Sequence, residues 1–218
     1  MSNRFINAIF GLSLLAAGIA GCASAPGGSS SQINAQTKSD RSNSNTDSFN
    51  YAKLPSTRPD VTVKSESAEL FQQSLIALQA ADLRRAEGLL SEVTELQPEL
   101  SGPWLNLGQV YLAGERASEA QAAFERAIAA NPTNCAAYNQ LGVLARQQGE
   151  LQRAEESYLA CIERDPNFPQ VYLNLGILYE LYMGRLPQAL DAYRKYQKLV
   201  ETEDPKVAGW VLDLERRL

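Results

Sequence analysis

The chain has 218 residues, 44% of them hydrophobic and 21% charged, with a formal net charge of −5, which fits one globular domain with accessory segments. Its basic residues, among them Arg84, Arg85, Arg116, Arg153 and Arg194, are scattered and form no stripe that would attract a phosphate backbone, so nucleic acid is excluded as a partner. There is no histidine, and the three cysteines are Cys22, Cys135 and Cys161. That set removes the commonest general base, the Ser-His and Cys-His pairs, His-containing zinc sites, a four-thiolate site and a Cys-x-x-Cys redox pair, so no metal and no cofactor is expected.

Residues 1–21 begin with one positive charge, Arg4, and run through an apolar stretch from Phe5 to Ala20. That is the layout of a secretory signal peptide, since Asn7, Gly11, Ser13 and Gly18 interrupt a stretch already short for a bilayer span. It ends in Ile19-Ala20-Gly21-Cys22, which resembles the lipobox of bacterial lipoproteins. The resemblance implies cleavage after Gly21, acylation of Cys22 on sulfur and amine, and anchoring by several fatty chains. Ala23, in place of the aspartate that retains such proteins at the inner membrane, implies the outer membrane of a Gram-negative bacterium, with the domain facing the periplasm. The segment 22–66 is dominated by Gly, Ser, Asn, Gln, Thr and Pro, shows no period of 2 or 3.6, and is expected to be a disordered tether.

Beyond it, Pro98, Pro132 and Pro166 recur at an interval of 34 residues. Residues 101–134 carry Trp104, Leu107, Gly108 and Tyr111, then Ala120, Phe124 and Ala127, then Pro132. Adding the same interval reaches Tyr138, Leu141, Gly142, Ala145, Ala154, Tyr158, Cys161 and Pro166. A third copy has Tyr172, Leu175, Gly176 and Tyr179, followed by Ala189, Tyr193 and Tyr196 displaced by one position, so one residue is inserted near Met183-Gly184-Arg185. This pattern resembles the tetratricopeptide repeat (TPR), a helix pair that stacks into a solenoid. The resemblance implies an all-α fold of three to four antiparallel helix pairs over 67–202, divided into a degenerate repeat 67–100 and regular repeats 101–134, 135–168 and 169–202. Residues 203–218 form an amphipathic capping helix, with Val207, Trp210, Val211 and Leu214 on its core side. The whole arrangement is similar to small outer-membrane TPR lipoproteins, including pilotin-like assembly factors and adaptors for peptidoglycan hydrolases. The segments Leu178–Tyr182 and Val207–Trp210 are also faintly similar to TPR proteins of TonB-type systems.

The family binds extended peptides or partner helices on its concave face, along the first helix of each repeat. The expected contact residues there are Asn106, Gln109, Asn139, Val143, Asn174 and Ile177, on the premise that the interhelix core does not need them. Gly102, Ala136, Gln140 and Gln170 stand where other members place the cations of a carboxylate clamp, so that clamp is not expected. The function expected is a membrane-anchored scaffold for a protein or peptide partner in the cell envelope. The alternatives are a passive tether between membrane and wall, and a wall-degrading hydrolase whose raw material would be acidic residues such as Glu115, Glu155 and Asp165. For Cys135 and Cys161, export would permit a bridge, but helices set more than about 7 Å apart would leave two separate buried thiols, and separate thiols are the expectation.

Overall fold

The computed structural model describes residues 60–218, and all of its regular structure is helical. The leader 1–21, Cys22 and most of the segment 22–66 lie outside the described residues. Four helix pairs follow in chain order: α1 (Ser65–Gln79) with α2 (Leu83–Leu96), α3 (Ser101–Ala113) with α4 (Ala117–Ala130), α5 (Cys135–Gln147) with α6 (Leu151–Arg164), and α7 (Pro169–Ile177) with α8 (Leu186–Leu199). A last helix, α9 (Pro205–Arg217), closes the stack. No helix among the described residues is long and apolar enough to cross a membrane.

The period of 34 has a local cause at each proline. Gln97, Asn131 and Asp165 leave their helices with φ near −140°, the extended backbone that a following proline imposes on its neighbour. Each proline then opens a tight turn, closed by Leu100 N–H to Gln97 carbonyl (3.2 Å), Asn134 to Asn131 (3.0 Å) and Phe168 to Asp165 (3.3 Å). The aromatic near the start of the next helix ties that turn down: Trp104 Nε1 donates to the Pro98 carbonyl and the Tyr172 hydroxyl to the Pro166 carbonyl, both at 2.9 Å. In the middle repeat Arg164 Nε does this instead, donating to the Pro132 carbonyl at 3.0 Å while its guanidinium stacks on Tyr138.

Within each pair the backbones approach where a glycine faces a ring. A β-carbon on Gly108, Gly142 or Gly176 would run into the ring of Phe124, Tyr158 or Tyr193 respectively, all three fully buried. The turn between paired helices also repeats. Ala81, Glu115, Gly149 and Gly184 take positive φ, and the next residue closes the turn by donating to the end of the first helix: Asp82 to Ala77, Arg116 to Tyr111, Glu150 to Ala145. In the last pair the bond is Arg185 to Tyr179, one residue wider. The insertion is absorbed there because Leu178–Met183 continues α7 as a π-helix, whose broader turns accommodate an extra residue. Ala189 and Tyr193 therefore remain buried despite their shift in sequence.

Two expectations are corrected. The tether ends earlier than residue 66: α1 starts at Ser65, Val61 and Val63 pack against the first core cluster, and Gln97 bonds both the Lys64 N–H (2.8 Å) and the Thr62 carbonyl (3.0 Å). Cys135 and Cys161 are bridged, with their Cα atoms 4.5 Å apart. They stand where α5 begins and α6 ends, and the small side chains of that pair let the helices approach within bridging range. Trp210 lies in the core as expected, its ring 5.5 Å from that of Tyr193. The cap is further held by Arg217, which pairs with the buried Glu180 at 2.9 Å.

Candidate functional site

The first helices α3, α5 and α7 carry the inner row. Asn106 and Gln109 lie on α3, Asn139 and Val143 on α5, Asn174 and Ile177 on α7, and all six are buried. This corrects the premise that they stand clear of the core. Successive first helices approach so closely that Asn174 Nδ2 donates to Asn139 Oδ1 at 2.8 Å, and Val143 and Ile177 belong to the main apolar cluster. Alanine at Asn174 would leave a buried amide unpaired, so that substitution is not neutral to folding. More accessible inner-row positions are Leu112, Ala113, Gln140 and Leu181, which are half-buried, and Gln147, which is exposed.

The row is polar in an unusual way. Buried amide oxygens are normally bonded, yet Gln109 Oε1 and Asn174 Oδ1 have no hydrogen-bond partner among the described residues. An unpaired amide oxygen is an acceptor of the kind that a peptide backbone N–H requires.

Three further side chains gather at the end of the inner row, Arg146 in the concave-face phase of α5, Tyr158 from the repeat pattern and Tyr182, and their grouping was not legible in the sequence. Arg146 sits two turns after Asn139 on the same face of α5 and is only 4% exposed. Its Nη1 donates to the Tyr182 hydroxyl at 3.2 Å, and its guanidinium lies 5.3 Å from the Tyr182 ring centre. The buried phenol of Tyr158 lies beside it, pushed up to about 12 by burial and partly opposed by the Arg146 charge. Burial is the largest influence on the guanidinium and works against its charge, while the raising effect of Tyr158 and Tyr182 comes in large part from their phenolate forms, which are absent near neutral pH. The sequence signal for Arg146 was its phase, 34 residues after Leu112 and 34 before Glu180. Tyr182 gives no periodic signal, because the insertion displaces it.

On the opposite side, polar trios fasten neighbouring repeats. Glu155 of α6 accepts from the Tyr179 hydroxyl and from Arg185 Nη1, both at 2.8 Å. At the first junction Arg116 pairs with Glu87 at 2.7 Å and lies over the Tyr111 ring. At the middle junction the corresponding residues are Gln121, Ala145 and Glu150, and alanine there supplies no ring to complete a trio. Glu155 is thus an inter-repeat contact rather than half of a paired-carboxylate cleft. Among the described residues no group of His, Cys, Asp and Glu is placed to hold a metal ion.

Stacked helix pairs with a polar inner row define a repeat scaffold of the kind that binds other proteins. The chain belongs to the tetratricopeptide-repeat family: models of that repeat match residues 71–134, 105–169 and 157–191. Among solved structures it is similar to PilF of Pseudomonas aeruginosa (TM-score 0.63, 23% identity, 70% of this chain and 68% of that one). It is likewise similar to TTC0263 of Thermus thermophilus (TM-score 0.60, 20% identity, 70% and 82%) and to MamA of Desulfovibrio magneticus RS-1 (TM-score 0.59, 17% identity, 72% and 87%). Identities of this size show the shared fold. A UDP-N-acetylglucosamine–peptide N-acetylglucosaminyltransferase of Giardia intestinalis is 36% identical over 119 residues, but this chain spans only 8% of its length. That likeness is one of repeats.

Proposed function

We propose that this protein is a lipid-anchored adaptor of the Gram-negative envelope, fixed through Cys22 to the outer membrane, whose inner row of first helices holds a protein or peptide partner. The observation that carries the binding half is the pair of buried, unpartnered amide oxygens on Gln109 and Asn174, acceptors left unused by the fold itself. The anchoring half rests on the apolar leader and on Ile19-Ala20-Gly21-Cys22. The Cys135–Cys161 bridge supports export, because such bonds persist in oxidising compartments such as the periplasm and are rare in the cytosol.

Two experiments test the halves separately. Cys22→Ser should leave an uncleaved precursor without fatty-acid label; processing and outer-membrane sorting of that variant would defeat the anchor. Affinity capture from detergent-solubilised envelopes tests the groove. Gln140→Lys with Gln147→Lys, on the accessible side of α5, should abolish capture with the helical spectrum unchanged, whereas Leu159→Lys on exposed α6 surface should not. The reverse pattern would place the partner on the outer helices.

A further inference from the structure

Among the described residues the guanidinium of Arg146 has no carboxylate partner. It is 4% exposed, its Nε has no hydrogen bond among the described residues, its Nη1 donates to the Tyr182 hydroxyl, and the phenol of Tyr158 lies beside it. Burying an unpaired charge is costly, and buried arginines are ordinarily matched by an acid. The inner-row carboxylate in the same phase, Glu180, is already bonded to Arg217 (2.9 Å) and to the Tyr193 hydroxyl (3.2 Å).

The groups around Arg146 are short of an acceptor. Arg146 Nε–H is an unused donor, and the Tyr158 hydroxyl has no partner. The Tyr182 hydroxyl accepts from Arg146 Nη1, which leaves its own proton to donate. Three donors, one of them charged, converge without an anion. Tyr182 is 41% exposed and is the member of the cluster that meets solvent. The amides of Asn139 and Asn174 lie about two turns further along the same face.

From this we infer that Arg146, with the hydroxyls of Tyr158 and Tyr182, binds a carboxylate of the partner peptide, a glutamate or aspartate side chain or the chain terminus, at the end of the amide row. The inference rests on the inner-row reading above and adds the chemistry of what is recognised. The fold keeps a stranded cation, and the ligand supplies its counter-charge. A charge-assisted hydrogen bond in such a site is worth roughly tenfold or more in affinity.

The test uses the full chain, purified in detergent, with fluorescent nonapeptide pools of randomised sequence. One pool fixes a central Glu and its twin a central Gln, each with a free or an amidated C terminus. The Glu pool or the free-terminus pool should bind at least roughly tenfold tighter than the neutral amidated pool, and whichever does so identifies the source of the carboxylate. Arg146→Gln should erase that preference while the neutral pool still binds, and Tyr182→Phe, a change at an exposed side chain, should reduce it several-fold. Arg146→Met should raise the melting temperature, because it removes a charge with no acid partner; a lowered one would mark Arg146 as a packing residue and overturn the proposal. Equal binding of all pools by the unmodified protein overturns the carboxylate and leaves the groove intact. Failure to bind any pool overturns both.

Discussion

The Tyr179 hydroxyl donates to the Glu155 carboxylate at 2.8 Å, and the bond crosses from one repeat to the next. Arg185 completes it from the same side. Replacing Glu155 by alanine should therefore cost about 1–3 kcal/mol, the range for a lost hydrogen bond to a charged group that leaves a half-buried donor behind. Gln121→Ala, at the corresponding place in the preceding repeat, should shift stability by about 0.5 kcal/mol or less. Denaturant unfolding of the two variants decides it; equal losses would show that Glu155 is a surface residue like any other.

Alkaline titration reads the same contact. Tyr179 is pushed up to about 12, first by burial and then by the Glu155 carboxylate, and Tyr158 is pushed up to about 12 by burial. The ordinary phenol value is 10, so the native state holds protons that the unfolded chain releases between about pH 10 and 12. Their contribution to stability is full below pH 10 and is lost as pH rises toward 12. Phenolate absorbance should show Tyr158 and Tyr179 titrating late, alongside Tyr111, Tyr172 and Tyr196, which burial also raises above 10, and Glu155→Gln should bring Tyr179 back toward 10. A single transition near 10 for every tyrosine would contradict the burial.

Glycines divide into two classes with opposite signs. Alanine at Gly142 places a methyl group against the Tyr158 ring, and overpacking of that kind costs about 1–3 kcal/mol. Gly88 and Gly209 sit inside helices with nothing near a new β-carbon, so alanine there should stabilise by about 0.5–1 kcal/mol through helix propensity. Melting temperatures should move in opposite directions, and a stabilising Gly142→Ala would refute the close contact.

The bridge between Cys135 and Cys161 closes a separation of 26 residues. Loop-closure entropy for that length predicts about 3.5 kcal/mol of stabilisation. Reductant, or Cys161→Ala, should lower stability by that order, and intact mass under non-reducing alkylation should show no free thiol at either position. Two alkylated cysteines would dispose of the bridge.

The solenoid could be read from the chain because its spacing rules are local. Pro98, Pro132 and Pro166 end helices through their own rings, and Gly108, Gly142 and Gly176 each face a ring about half a repeat later. Features that depend on how far apart two helices settle were not readable in the same way. Periodicity puts Asn139 and Asn174 on the inner side but is silent on whether their helices touch, so their hydrogen bond and their burial came from the structure. The Cys135–Cys161 distance is a quantity of the same kind. The ordered start at Val61 escaped notice because two alternating valines are too few to show a period, and Gln97, which secures that segment, lies more than thirty residues away.

The π-helix at Leu178–Met183 bears on how such a chain tolerates changes in length. One added residue in an α-helix swings everything after it by about 100°, which here would turn Tyr193 and Ala189 away from Gly176. Local underwinding confines that error to a single turn, and the twist is spent before α8 begins. The same widened turn carries Tyr182, so the inserted residue also places the ring that meets Arg146.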